Sequence, residues 1–499
     1  MKRFRLFLTN YAAHIAVLLV GTGILLGGCF QDNLWFDEAY TVGMMRLDLP
    51  DLLYYSAFDV HPQLYYLMLK GVVTVFGDSL VVMRLFSVLG MVLFASLGLT
   101  HIRRDFGKQV GFWFSFCTMF SGVAMTYALQ IRMYSWVMYF VGLAAIYCYR
   151  MYANPDSRKD RWLFILSSLC AAYTHYYGLF AVAALNLLLL YGYVRKKRPL
   201  VRWFIDGGIQ IGGYLPGLYV FLVQLSAGGA TWMKMKWPDM VFDFVSYPLL
   251  GDVPQTFAEY GSGQYSHLGG VMLAIFVAGG ILLHRFYKQN RFPTAHKTAL
   301  KAALYAYFGI LLVALAVSLF RPLYHVRYTV VIFAFLAFAV ALLFASFKKK
   351  LSKCIAAVLV LLFFTGQGLY QYDVIYDSSS DAVQEAMGTW LQDDDCFLID
   401  GDTLNGLVVA TMYPDTAACF YNNAHWNVQN AYKCFRSDLQ ILDELETEEL
   451  SSLPSRVWVF GKKSSYEKLI DYGYQEAEHH VVQVRYRNSK YSLYLMTRS

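Results

Sequence analysis

The stretch His61-Pro-Gln-Leu-Tyr-Tyr-Leu-Met-Leu-Lys-Gly-Val-Val-Thr-Val-Phe-Gly77 decides how the rest of the chain is threaded. Its apolar part, Leu64 to Gly77, is short against the roughly 20 residues a helix needs to cross a bilayer. It also carries Lys70 and follows His61-Pro62. Around it lie eleven apolar stretches long enough to span, at 8–28, 79–101, 109–128, 133–151, 161–176, 177–194, 202–223, 266–285, 298–320, 327–347 and 353–370. If Leu64–Gly77 stays on one side and Met1-Lys-Arg-Phe-Arg5 is cytoplasmic, 24 of the 32 Lys and Arg residues before residue 371 fall on the inner side. That is the positive-inside pattern. If Leu64–Gly77 crossed, nearly all the later basic loops would face outward. The segment is therefore expected to be a helix lying on, or dipping into, the outer surface.

Composition agrees with a chain that is mostly membrane. Of its 499 residues 57% are hydrophobic and only 15% charged, against roughly a quarter charged in a soluble domain, which excludes an ordinary cytosolic enzyme. The charge is split: residues 371–499 hold 10 Lys/Arg and 20 Asp/Glu, whereas residues 1–370 hold 32 and 15. Basic loops in a membrane protein set orientation, so the net charge of +7 is not a nucleic-acid footprint.

The expected fold is a polytopic α-helical membrane protein with about eleven transmembrane helices and a surface helix in the first outer loop. Its membrane domain covers residues 1–370. Residues 371–499 form a small extracytoplasmic α/β domain. In that tail Cys396–Asp400, Arg456–Phe460, His480–Arg485 and Tyr491–Met496 read as strands, and Asp381–Leu391 and Asp438–Leu450 as helices. Of the eight cysteines, Cys396, Cys419 and Cys434 lie in the tail, where one disulfide is allowed and its connectivity is not readable. Leu26-Gly27-Gly28-Cys29 has some likeness to a lipoprotein cleavage box, but the long apolar core and the loss of an anchor for the following loop argue against cleavage.

This threading gathers the chemistry on the outer side. The outer loops hold Trp35-Phe36-Asp37-Glu38, His61, the Gln130-Ile-Arg132-Met-Tyr134 turn, the Tyr173-Thr-His175-Tyr176-Tyr177 turn and Pro322-Leu-Tyr324-His325-Val-Arg327-Tyr328. An acidic pair beside aromatics at the interface either points into water or acquires partners that raise its proton affinity toward a useful range. Arg327, at the start of a span, either snorkels to the headgroups or grips a phosphate through its fork of donors. Arg132 with Tyr134 has the same two readings. Arg84 sits about one turn inside a span, where it requires a counter-ion, for which Asp37 or Glu38 is available. His175 among its tyrosines reads either as part of an aromatic belt or as a hydrogen-bonding group for a sugar or phosphate. His61, His175 and His325 share no ligand spacing, so no metal site is indicated, and no cofactor is expected beyond an unindicated divalent cation. Asp48, Asp51 and Asp59 are expected to be solvated.

These motifs in this order resemble the GT-C glycosyltransferases, within them the branch of protein O-mannosyltransferases and aminoarabinose transferases. They are an Asp-Glu pair in the first outer loop, His-Pro-x-Leu-Tyr-Tyr, an Arg early in the next span, an Arg-x-Tyr turn and a late Arg-Tyr. The resemblance covers roughly residues 1–350, and the chain departs from it in having Gln63 where a second proline is usual. It implies a GT-C fold and an enzyme that takes a sugar from a polyprenyl-phosphate donor at the outer face of the cell membrane. The sugar passes with inversion to a glycan, lipid or protein hydroxyl. It further implies Asp37 as the general base or acceptor-orienting carboxylate, Glu38 as a supporting acid or binder, and Arg327 with Tyr328, joined by His325 or Arg132, at the departing lipid phosphate. Two other classes compete: a transporter or flippase, which predicts broken spans with polar groups at mid-membrane depth, and a scaffold whose tail binds a surface partner.

Overall fold

Helices overlap all eleven apolar stretches in the computed structural model of the chain, which describes residues 2–32, 34–226, 266–320, 325–376, 387–400, 405–421, 426–442, 445, 447–460, 463–484 and 489–498. Seven described helices are long and apolar enough to cross a membrane by length and composition: Asn10–Gly27, Leu80–Phe106, Tyr176–Arg195, Val201–Ser226, Thr294–Ser318, Arg327–Ala345 and Lys350–Leu369. The stretch read as one span at 109–128 is two helices, Lys108–Met119 and Gly122–Tyr127. Ser121 separates them, its hydroxyl accepting the Ala124 amide at 3.1 Å as an N-cap. Hydropathy hides the break because every residue around Ser121 is apolar or small. Leu64–Phe76 is a helix of 13 residues.

The chain divides into two compact units. The first comprises Met1–Phe30, Arg84–Tyr219 and Ala230–Gln371, and is a helical bundle. In it the helix from Leu80 passes through a π turn at Gly98–Ile102. There Gly98 and Gly111 meet so closely that a Cβ on either would lie 2.3–2.5 Å from the other's carbonyl oxygen, the close backbone approach that small residues give membrane helices. Two of the unit's acids have basic partners: Asp105 accepts from Arg150 at 2.7 Å, and Asp206 pairs with Arg161.

The second unit comprises Gln31–Met83, Val220–Gly229 and Tyr372–Ser499. Its sheet has the order β3-β2-β1-β4-β6-β5, with β1 Cys396–Asp400, β2 Ala417–Tyr421, β3 Gln440–Leu442, β4 Arg456–Phe460, β5 Gln475–Val484 and β6 Ser489–Thr497. Strands β3, β2, β1 and β4 run parallel, and β6 lies antiparallel to both β4 and β5. All five residues of β1 are buried, the continuous apolar pattern of a strand covered on both faces. The segment 438–450 is not one helix: Gln440–Leu442 pairs with β2, and a helix begins only at Thr447. Pairing with a neighbouring strand overrides a local apolar pattern that both structures satisfy. Of the expected helix Asp381–Leu391, residues 381–386 lie outside the described residues, and 387–390 are helical. The three tail thiols are unpaired; Cys396 and Cys419 approach to 3.7 Å between β1 and β2, while Cys434 lies in the turn after the helix Trp426–Tyr432.

Candidate active site

Two clusters of chemistry-bearing residues form, one in each unit. In the helical bundle the turn between the helices Arg158–Thr174 and Tyr176–Arg195 places His175 as the N-cap of the second, its Nδ1 accepting the Tyr177 amide at 3.1 Å. His325 repeats the device: its Nδ1 accepts the Arg327 amide at 3.3 Å and starts the 3-10 turn Val326–Ile332. With Nδ1 accepting, the neutral ring carries its proton on Nε2 and presents that N–H as a donor. The Tyr328 ring lies edge to face 4.9 Å from His175 and tilted 5.5 Å from His325, so the two capping histidines share one tyrosine. Tyr134 lies 5.9 Å from His175.

Charge converges here too. His175 is buried, and the positive charges of Arg132 and Arg327 act on it. Accepting at Nδ1, it is a neutral ring in the neighbourhood of both guanidiniums. Arg132 is itself only 3% exposed and Arg84 not at all. The Arg84 helix is tied to the start of the Tyr134 helix, since Ser135 and Trp136 donate to the Ser87 and Phe86 carbonyls at 2.7 and 3.0 Å. Arg132, Tyr134, His175, His325, Arg327 and Tyr328 therefore come together. Tyr176 is half-buried beside them. Two further rings join that the motifs did not single out: Tyr177, 5.5 Å from Tyr328, and Tyr127, 4.6 Å from Tyr134. Tyr177 stands within the quoted turn, so the aromatic cluster was visible, but which ring faces the histidine was not. Residues 321–324, including Tyr324, lie outside the described residues.

The acidic pair belongs to the second unit. Asp37 and Glu38 occupy the first turn of the helix Phe36–Arg46, where the partial positive charge of the helix N-terminus favours carboxylates. Glu38 is buried and accepts the Trp35 amide at 3.4 Å, so it closes the helix start, whereas Asp37 is half-buried. Lys70, from the apolar helix Leu64–Phe76, donates to the Met45 and Leu47 carbonyls at 2.8 and 2.7 Å and so caps the other end. The charge that made Leu64–Gly77 a poor span has a local partner. His61 is buried, and its carbonyl accepts from Gln224 at 3.0 Å. Asp59 is half-buried rather than solvated and accepts from Tyr66 at 3.0 Å.

The same helix is docked on the tail. Phe36 and Tyr40 pack on Phe435 at 4.9 and 5.2 Å, and Arg46 donates to the Thr411 carbonyl. Gly43 makes the approach: a Cβ there would lie 2.3 Å from the Phe435 carbonyl oxygen and 2.4 Å from that of Cys434. Arg436 holds this turn, donating to the Pro414 carbonyl at 2.9 Å and gripping Asp438 with two nitrogens.

No family model matches the chain, and no curated protein matches it in sequence. Among solved structures it is similar to ArnT from Cupriavidus metallidurans in the apo state, with a TM-score of 0.59 over 99% of this chain and 98% of that one, at 12% identity. The same protein bound to undecaprenyl phosphate matches equally, at TM-score 0.59, 11% identity and 97% and 98% coverage. A mostly helical chain with a C-terminal sheet domain, aligned from end to end with such a structure, shares the fold of that protein.

Proposed function

We propose that the chain is a membrane glycosyltransferase that moves a sugar from a polyprenyl-phosphate donor to an acceptor hydroxyl at the outer face of the cell membrane, with inversion. The observation that carries this reading is the gathering, around the shared Tyr328 ring, of a buried histidine with its Nδ1 already accepting, Arg327 and the buried Arg132–Tyr134 turn. Two fixed guanidiniums and an Nε2–H donor suit a phosphate on which negative charge develops as its bond to the sugar breaks. The fold it shares with a protein solved with undecaprenyl phosphate supports the donor class.

In the proposed reaction the acceptor oxygen attacks the anomeric carbon from the face opposite the phosphate, and Asp37 takes its proton. The carbon–oxygen bond to the phosphate breaks with its electron pair on the leaving oxygen, where Arg132, Arg327 and the His175 N–H stabilise it. Glu38 holds the start of the Asp37 helix. Tyr134, Tyr176 and Tyr328 would bind sugar or phosphate, His61 and Arg84 would line the binding region, and the prenyl chain would enter from the bilayer.

The test is incubation of the purified full chain, in lipid vesicles, with labelled polyprenyl-phosphate sugars and acceptors, reading free polyprenyl phosphate and glycosylated product. Asp37→Asn and Arg327→Ala should each lower turnover by about 100-fold or more. Full activity in either variant overturns its role. Movement of intact donor across the vesicle membrane without bond cleavage would support the transporter reading instead.

A further inference from the structure

Away from these clusters, a cavity of about 710 Å3 opens among the helices Tyr134–Ala153, Tyr176–Arg195, Thr294–Ser318 and Phe333–Ala345. That is within the roughly 300–1,000 Å3 of small-molecule sites. Its walls are apolar, with Leu185, Leu189 and Phe335 all buried. Its rim is cationic: Arg195 and Lys196 come from the end of one helix, Lys297 and Lys301 from the start of another. No Asp or Glu is among the described residues that line it. The four cations lean on neutral groups: Lys196 lies over the Tyr152 ring at 3.7 Å, Lys297 and Lys301 over Tyr287 at 4.9 and 5.3 Å, and Arg195 is 3.5 Å from the Tyr191 hydroxyl.

We infer that this cavity binds an anionic glycerophospholipid, its headgroup phosphate at the Arg195, Lys196, Lys297 and Lys301 rim and an acyl chain in the apolar interior. Charge complementarity selects the class. Four converging cations without a carboxylate repel one another at a low-dielectric boundary, and an anion relieves that repulsion. The chemistry inside excludes a free phosphate as the whole ligand, because an inorganic ion at the cationic rim would leave the apolar interior of the cavity unfilled. An amphiphile satisfies both parts, and the anionic amphiphile abundant in a bilayer leaflet is a phospholipid. Basic helix ends also set membrane orientation, which requires their charge but not their convergence on one apolar cavity.

The inference goes beyond the transfer reaction, and its readout is lipid rather than turnover. Purified full-length protein is incubated with vesicles of equal phosphatidylglycerol and phosphatidylcholine, repurified, and its bound lipid quantified by mass spectrometry. The wild type should retain phosphatidylglycerol over phosphatidylcholine by about fivefold or more. Lys297→Gln with Lys301→Gln should lose that preference, and Ala303→Trp, which fills the interior and leaves the charges in place, should lower the amount bound. Lys348→Gln with Lys349→Gln, an equal charge change away from the cavity, should behave as wild type. Equal retention of the two lipids, or equal loss in both lysine pairs, would overturn the site. Displacement of the lipid by excess inorganic phosphate would overturn the apolar half of it, and displacement by an equimolar polyprenyl phosphate would overturn the choice of phospholipid.

Discussion

His175 shows how much one side chain can be asked to do. Its Nδ1 caps a helix and thereby fixes the neutral tautomer, and its ring packs against both Tyr134 and Tyr328. Arg327 has a direct test. Arg327→Lys keeps the charge and discards the planar fork, and should cost about tenfold in release of the carrier phosphate if two-pronged contact matters. Unchanged release would reduce Arg327 to a point charge.

At the scale of elements, the helix Phe36–Arg46 is held at both ends and along one side. Glu38 closes its start and Lys70 its end, while Gly43 brings its middle against the turn at Cys434–Phe435. Gly43→Val forces a branched side chain into backbone carbonyls that have no rotamer to yield, at a cost of about 1–3 kcal/mol. Cys434 reports the damage, since it is fully buried in the native packing. Alkylation of the Cys434 peptide by a maleimide should rise in Gly43→Val above wild type, and an unchanged rate would mean the docking adapts. Lys70→Met removes a charged donor from two helix-end carbonyls and should cost about 1.5–3 kcal/mol, measurable as a lower melting temperature. The same element view explains why residues 438–450 misled. A strand of three residues carries no periodicity, and only its pairing with Ala417–Tyr421 gives it an identity.

At the scale of the whole molecule, the positive-inside count predicts an N-terminus inside and a tail outside. Protease added to right-side-out spheroplasts should remove a C-terminal tag and spare an N-terminal one, and the reverse would invert the proposed site to the inner face. The sequence by itself determined what depends on local composition. Spans are legible because a run of about 20 apolar residues is unstable in water whatever surrounds it. The candidate residues were legible because arginines, histidines and an acidic pair beside aromatics are costly at a membrane edge without a purpose. Only the tertiary structure decided which of those groups meet. The turns at 132–134, 175–177 and 325–328 are separated by long helices, and nothing local to them says that His175 and His325 share Tyr328. Likewise Phe435 reaches Phe36 and Tyr40 from some 400 residues away along the chain, and basic helix ends that serve orientation close around an apolar cavity. Such contacts arise from how helices and sheet pack, a balance of many weak non-local terms that no short window of residues contains.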